Sequence, residues 1–120
     1  MRKLVEIRSY NLKPGTREEF HRLVVERSYP LLKRWGVDVV AFGPSPHDMG
    51  SYYLIRAYES LAHRLSSQEA FYGSSDWRQG PRDAIIPLIE SHTSIVIEMD
   101  DSTIDSLRAG FLQEGDVDSG

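Results

Sequence analysis

Between Lys3 and Leu12 apolar and polar residues alternate, Val5 and Ile7 against Glu6 and Arg8, the period of two of a strand. Pro14 and Gly15 break that pattern. From Thr16 the period lengthens. Phe20, Leu23, Val24, Leu31 and Trp35 recur at helical spacing and predict an amphipathic helix. Thr16-Arg17-Glu18-Glu19 reads as a capping box, the Thr16 hydroxyl accepting from the Glu19 amide. Pro30 lies inside the helical pattern, removes a donor, and predicts a bend or local break near Glu26 and Arg27. Gly36 suits the C-terminal stop.

Two further strands are predicted, Val37–Phe42 and Ser51–Tyr58, joined through the breaker-rich stretch from Gly43 to Gly50. Ser60 is placed to cap a second helix from Leu61 to about Tyr72, with Leu61, Leu65 and Phe71 expected to face inward. Asp76 is expected to cap a short turn around Trp77, and Asp83–Glu90 is apolar but ambiguous, with Pro87 limiting it. The last strand is predicted over Ser91–Met99. Beyond it the chain turns acidic. This divides it into one domain over 1–100 and a tail over 101–120, expected to be partly helical around Ile104–Phe111 and mobile at its end.

The order β-α-β-β-α-β is that of the ferredoxin-like α+β motif, a four-stranded antiparallel sheet whose usual strand order is 4-1-3-2. Sorting side chains by parity separates two sheet faces. One carries Val5, Ile7 and Ser9, then Tyr53, Ile55 and Ala57, then Thr93, Ile95 and Ile97. Being apolar, it is expected beneath the helices. The other carries Glu6, Arg8 and Tyr10, then Phe42, then Leu54, Arg56 and Tyr58, with Glu98 on the last strand. Its aromatic and aliphatic groups exceed what a solvated face holds, so it is expected to bury against a second copy in a homodimer. Glu6, Arg8, Arg56 and Glu98, two of each sign, are expected to pair within that interface.

Composition narrows the function classes. The 120 residues suit one domain. With no cysteine, a disulfide framework, a thiolate zinc site and a cysteine nucleophile are all excluded. A net charge of −4 with interspersed signs shows no basic stripe for nucleic acid. No apolar run approaches the roughly 20 residues of a membrane span, and Arg2, Lys3 and Glu6 interrupt any signal-peptide core. The expectation is a soluble cytoplasmic protein. The four histidines show no i, i+4 pairing, so no metal is expected. No phosphate loop or nucleophile elbow is present, and no cofactor is expected.

Several segments resemble the NIPSNAP family. They are Glu6–Gly15 (EIRSYNLKPG), Pro30–Gly36 (PLLKRWG), Ala57–Ala62 (AYESLA), and Phe71-Tyr72 followed by Asp76-Trp77, in order from about Val5 to Glu98. The resemblance implies a dimeric α+β barrel. That superfamily holds cofactor-free monooxygenases, isomerases and haem-degrading enzymes, but the NIPSNAP branch has no generally accepted catalytic residues. None is therefore carried over to this chain.

The small residues Ser9, Ala57 and Thr93 at one end of the supposed helix-side face predict a pocket there, with Phe20, Trp35, Tyr53, Phe71 and Trp77 as apolar walls. His21 and His63, in the first turns of the two helices, are the candidates for proton transfer. Three readings follow. The first is a NIPSNAP-like homodimer binding a small apolar metabolite. The others are a small cofactor-free monooxygenase or isomerase, and a non-catalytic interaction module.

Overall fold

The computed structural model describes residues 2–119, with side chains described over 2–111; the side chains of the chain end expected to be mobile lie outside the described residues. Strand β1 (Arg2–Leu12) leads through a turn at Gly15 into α1 (Arg17–Leu23). A π-helical turn, Val24–Ser28, joins α1 to α2 (Tyr29–Arg34). This is the break predicted from Pro30. Its ring leaves the Glu26 carbonyl without an α-helical partner, and one inserted residue relieves the clash. Gly36, at φ +74°, ends the helix in the left-handed region that glycine enters at least cost.

Strands β2 (Asp38–Pro44) and β3 (Ser51–Tyr58) form a hairpin. Next come α3 (Leu61–Tyr72), α4 (Ser75–Arg78), α5 (Arg82–Ile85) and a 3₁₀ turn over Ile86–Leu88. Strand β4 (Ile89–Asp100) runs directly into α6 (Asp101–Ser119). The sheet order is β2-β3-β1-β4, all pairs antiparallel, the ferredoxin-like order expected. No described helix is long and apolar enough to cross a membrane.

The two sheet faces are the reverse of the sequence-based assignment. Tyr10, Leu12, Tyr52 and Leu54 pack with Phe20, Leu23, Leu31, Phe71, Trp77 and Ile85 from the helices. Glu6, Arg8, Tyr10, Phe42, Leu54, Arg56 and Tyr58, expected at a dimer interface, therefore share the face that α1 to α5 of the same chain cover. Glu98 is opposite Leu4 on the edge strand and exposed. The opposite face carries Val5, Ile55 and Ala57, and α6 crosses part of it through the buried Ile104 and the flanking Leu107 and Phe111. Both faces are rich in apolar groups, so counting them did not discriminate. The charges misled because Glu6 and Arg56 neutralise each other inside the core and need no partner molecule.

Local details correct other expectations. Thr16 makes no side-chain cap bond to the helix; its hydroxyl donates to the Lys13 carbonyl at 2.7 Å, and Glu19 pairs with Arg22. Ser60 caps α3 as expected, accepting from the His63 amide at 3.0 Å. Leu61 and Leu65 point to solvent. The stripe of α3 that faces the sheet is instead Arg64, Gln68 and Tyr72, spaced at i, i+4 and i+8, with Phe71 beside it. Ser74, not Asp76, caps α4; Asp76 accepts from the Trp35 indole at 3.0 Å.

Candidate functional site

The polar stripe of α3 meets the charged pair on the sheet, and the result is one connected cluster. Glu6 is fully buried and accepts at both oxygens. Oε1 takes Arg56 Nε at 3.1 Å and Nη2 at 2.6 Å. Oε2 takes Arg64 Nε at 2.9 Å, Arg64 Nη2 at 2.6 Å and Gln68 Nε2 at 3.0 Å. The remaining donor group of Arg56 reaches the Tyr72 hydroxyl at 2.9 Å. Burial alone would raise the Glu6 carboxyl. The charge of Arg56, the Gln68 hydrogen bond and the nearby Arg8 and Arg64 outweigh it and hold the group at about 2.

Arg8 stands beside this cluster with weaker contacts. Its Nε lies 3.2 Å from Ser94 Oγ, its Nη1 3.4 Å from the Tyr72 hydroxyl, and its Nη2 3.4 Å from Gln68 Oε1. Glu6 Oε2 is 3.5 Å away. The Arg8 side chain is 12% exposed, and it borders a cavity between the sheet and the helices.

That cavity measures ≈ 80 Å³. Tyr10, Tyr52 and Leu54 form its floor, Phe20, Leu32 and Trp77 its helical side, and Arg8 and His92 line it from β1 and β4. Val24 and Ser28, the two ends of the π-helical turn, line it too. The extra residue of that turn widens the helix at the cavity wall, a place where such turns recur in functional sites. Tyr10 and Tyr52 are both pushed up by burial, Tyr10 to about 12, so both phenols stay protonated.

The predicted pocket residues are divided by the sheet. Phe20 and Trp77 line the cavity; Ser9, Tyr53, Ala57 and Thr93 lie on the opposite face, a consequence of the reversed faces. Ala57 borders a shallower second depression of ≈ 140 Å³ together with Lys3, Asp38 and His63. Phe71 is core behind Tyr72 and Trp77, with ring centroids 5.0 and 5.5 Å away. Trp35 is on the surface at 39% exposure.

The two candidate histidines do not reach the cavity. His21 Nδ1 lies 2.6 Å from the Tyr52 hydroxyl, behind the cavity wall. His63 Nδ1 accepts from the Glu59 amide at 3.0 Å, closing the start of α3. The histidine at the cavity is His92, on the edge strand β4. Its ring is tilted against Tyr10 at 6.0 Å. Arg64, Gln68 and Tyr72 were also missed, although their i, i+4, i+8 spacing opposite two exposed leucines was a readable signal. Among the described residues no group of three or more His, Cys, Asp or Glu could hold a metal ion.

The NIPSNAP family model matches residues 5–102. No curated protein matches. Among solved structures, an uncharacterised NIPSNAP domain protein from Burkholderia xenovorans is similar at 19% identity and a TM-score of 0.72, covering 82% of this chain and 95% of that one. A NIPSNAP family protein with unknown function from Agrobacterium tumefaciens is similar at 21% identity and a TM-score of 0.74, covering 81% of this chain and 87% of that one. More distant in fold is a "putative antibiotic biosynthesis monooxygenase" from Nitrosomonas europaea, at 16% identity and a TM-score of 0.61, covering 79% and 88% of the two chains. At these identities the solved structures establish the fold alone, an α+β ferredoxin-like one. The match of the family model over residues 5–102 establishes more, and the chain belongs to the NIPSNAP family.

Proposed function

We propose that this NIPSNAP protein is a homodimer that binds a small, largely apolar molecule in the cavity between its sheet and its helices. The observation that carries the reading is the wall of that cavity. Tyr10, Phe20, Tyr52, Leu54 and Trp77 supply an apolar lining, with one cation at its edge. An apolar hollow with a few placed polar groups is the usual form of a small-molecule site.

The open sheet face supports the dimer. Ile95 is 60% exposed and Ile97 38% exposed on β4, which α6 covers only in part. A second copy docked there would remove both from water, and twofold packing of like faces is the commonest route to a dimer. This keeps the expected homodimer but moves it to the other side of the sheet.

Binding is favoured over catalysis by His21 or His63, because neither lines the cavity: His21 is bonded to the Tyr52 hydroxyl behind its wall and His63 to the Glu59 amide. A second reading, an enzyme that transfers a proton, is favoured by one observation only: His92 lines the cavity beside Tyr10. Mass spectrometry of the protein purified without denaturant tests the main reading. The expected result is a dimer mass with a retained small molecule that is lost on introducing a bulky side chain at Leu54. A ligand-free monomer, unresponsive in thermal shift to any small apolar compound, would remove the reading.

A further inference from the structure

We infer that the cavity recognises a short-chain carboxylic acid, with the carboxylate on the Arg8 guanidinium and the apolar chain against Phe20, Tyr52 and Trp77. The inference rests on the binding function proposed above and names the class of ligand.

The argument begins with charge. Glu6 is the single carboxylate in the cluster, and three guanidiniums surround it, those of Arg56, Arg64 and Arg8. Its two oxygens already accept five hydrogen bonds of 2.6 to 3.1 Å from Arg56, Arg64 and Gln68. Arg56 and Arg64 are thus each matched by a short, two-pronged bond to the anion. Arg8 is not. Its contacts to Ser94, Tyr72 and Gln68 are to neutral acceptors at 3.2 to 3.4 Å, longer than the ~2.7–2.9 Å of a charge-assisted bond.

A largely buried guanidinium costs free energy unless an anion compensates it. Among the described residues that anion is already saturated by shorter bonds and meets Arg8 only at 3.5 Å, and Arg8 lines the cavity. The planar fork of arginine matches a carboxylate. The size of the hollow sets the remainder of the ligand. At ≈ 80 Å³ it is smaller than the roughly 150 Å³ cavity that admits benzene. A short aliphatic chain fits that space better than a ring system.

The test compares butanoate with butanamide, its neutral counterpart, by calorimetry on the full chain, and repeats both with Arg8→Gln and Arg8→Lys. Hydrogen bonds to a charged partner predict that the native protein binds the acid about tenfold or more tighter than the amide. Arg8→Gln should weaken the acid far more than the amide and so erase that preference, and Arg8→Lys should keep part of it. If Arg8→Gln fails to fold, the acid-to-amide ratio on the native protein and on Arg8→Lys still decides. Equal binding of acid and amide overturns the carboxylate assignment and leaves the apolar site standing. Binding of neither overturns both.

Discussion

Arg56 donates two hydrogen bonds to one oxygen of Glu6 across adjacent strands, and the two residues are 1% and 0% exposed. They are direct register partners on β1 and β3. The sheet register by itself sets the two side by side, and α3 completes the cluster with Arg64 and Gln68.

Removing the anion should be costly. Glu6→Gln leaves Arg56 and Arg64 without their charge partner inside the protein, and breaking a buried ion pair from one side costs roughly 3–5 kcal/mol. Urea unfolding should show a lower midpoint with an unchanged slope. A loss below about 1 kcal/mol would mean that water reaches the cluster.

The same carboxylate predicts acid sensitivity. Glu6 titrates at about 2 in the folded chain against an ordinary 4.5. A depressed carboxyl stabilises the fold above its unfolded value, and that contribution disappears as pH falls from about 4.5 through about 2. By linkage it amounts to roughly 3 kcal/mol. Unfolding free energies measured across that range should fall more steeply for the native chain than for Glu6→Gln; parallel curves would assign the acid sensitivity to other groups.

The open face offers a test of association. Ile95→Glu or Ile97→Glu puts a charge into the proposed contact between copies, at two positions already exposed in the protomer. Sedimentation at micromolar concentration should show the native dimer shifting to monomer with little change in protomer stability. Leu54→Glu should behave differently and unfold the chain, because Leu54 is beneath the helices. Normal dimers from Ile95→Glu would move the contact elsewhere.

Helix α6 should carry measurable stability although it lies almost wholly beyond the family match at residue 102. Ile104 is 2% exposed and packs with Val5, Ile55 and Ala57. Ile104→Ala should cost about 2–5 kcal/mol, read as a drop in thermal midpoint. A negligible change would show that α6 rests on the face without anchoring there.

Much of this was readable in the residues. Alternation in β1 and β3, the helical spacing of Phe20 to Leu31, Pro30 and Ser60 all specify structure through neighbours a few positions away. Periodicity, capping and proline geometry act over that range, so the βαββαβ order followed from them; the family resemblance rested separately on motifs such as Glu6–Gly15 and Pro30–Gly36. Which face of the sheet the helices cover depends on contacts between residues some 50 to 60 positions apart, such as Glu6 with Arg56, Arg64 and Gln68. Charge at one position reads as surface until its partners are known, so the buried cluster looked like an interface and the exposed isoleucines of β4 looked like core. His92 became a cavity residue, and His21 and His63 structural ones, for the same reason. The local chemistry of the chain chose the elements and their order; only packing, by pairing the charges across those long separations, decided which side of the sheet became the interior and where the cavity opened.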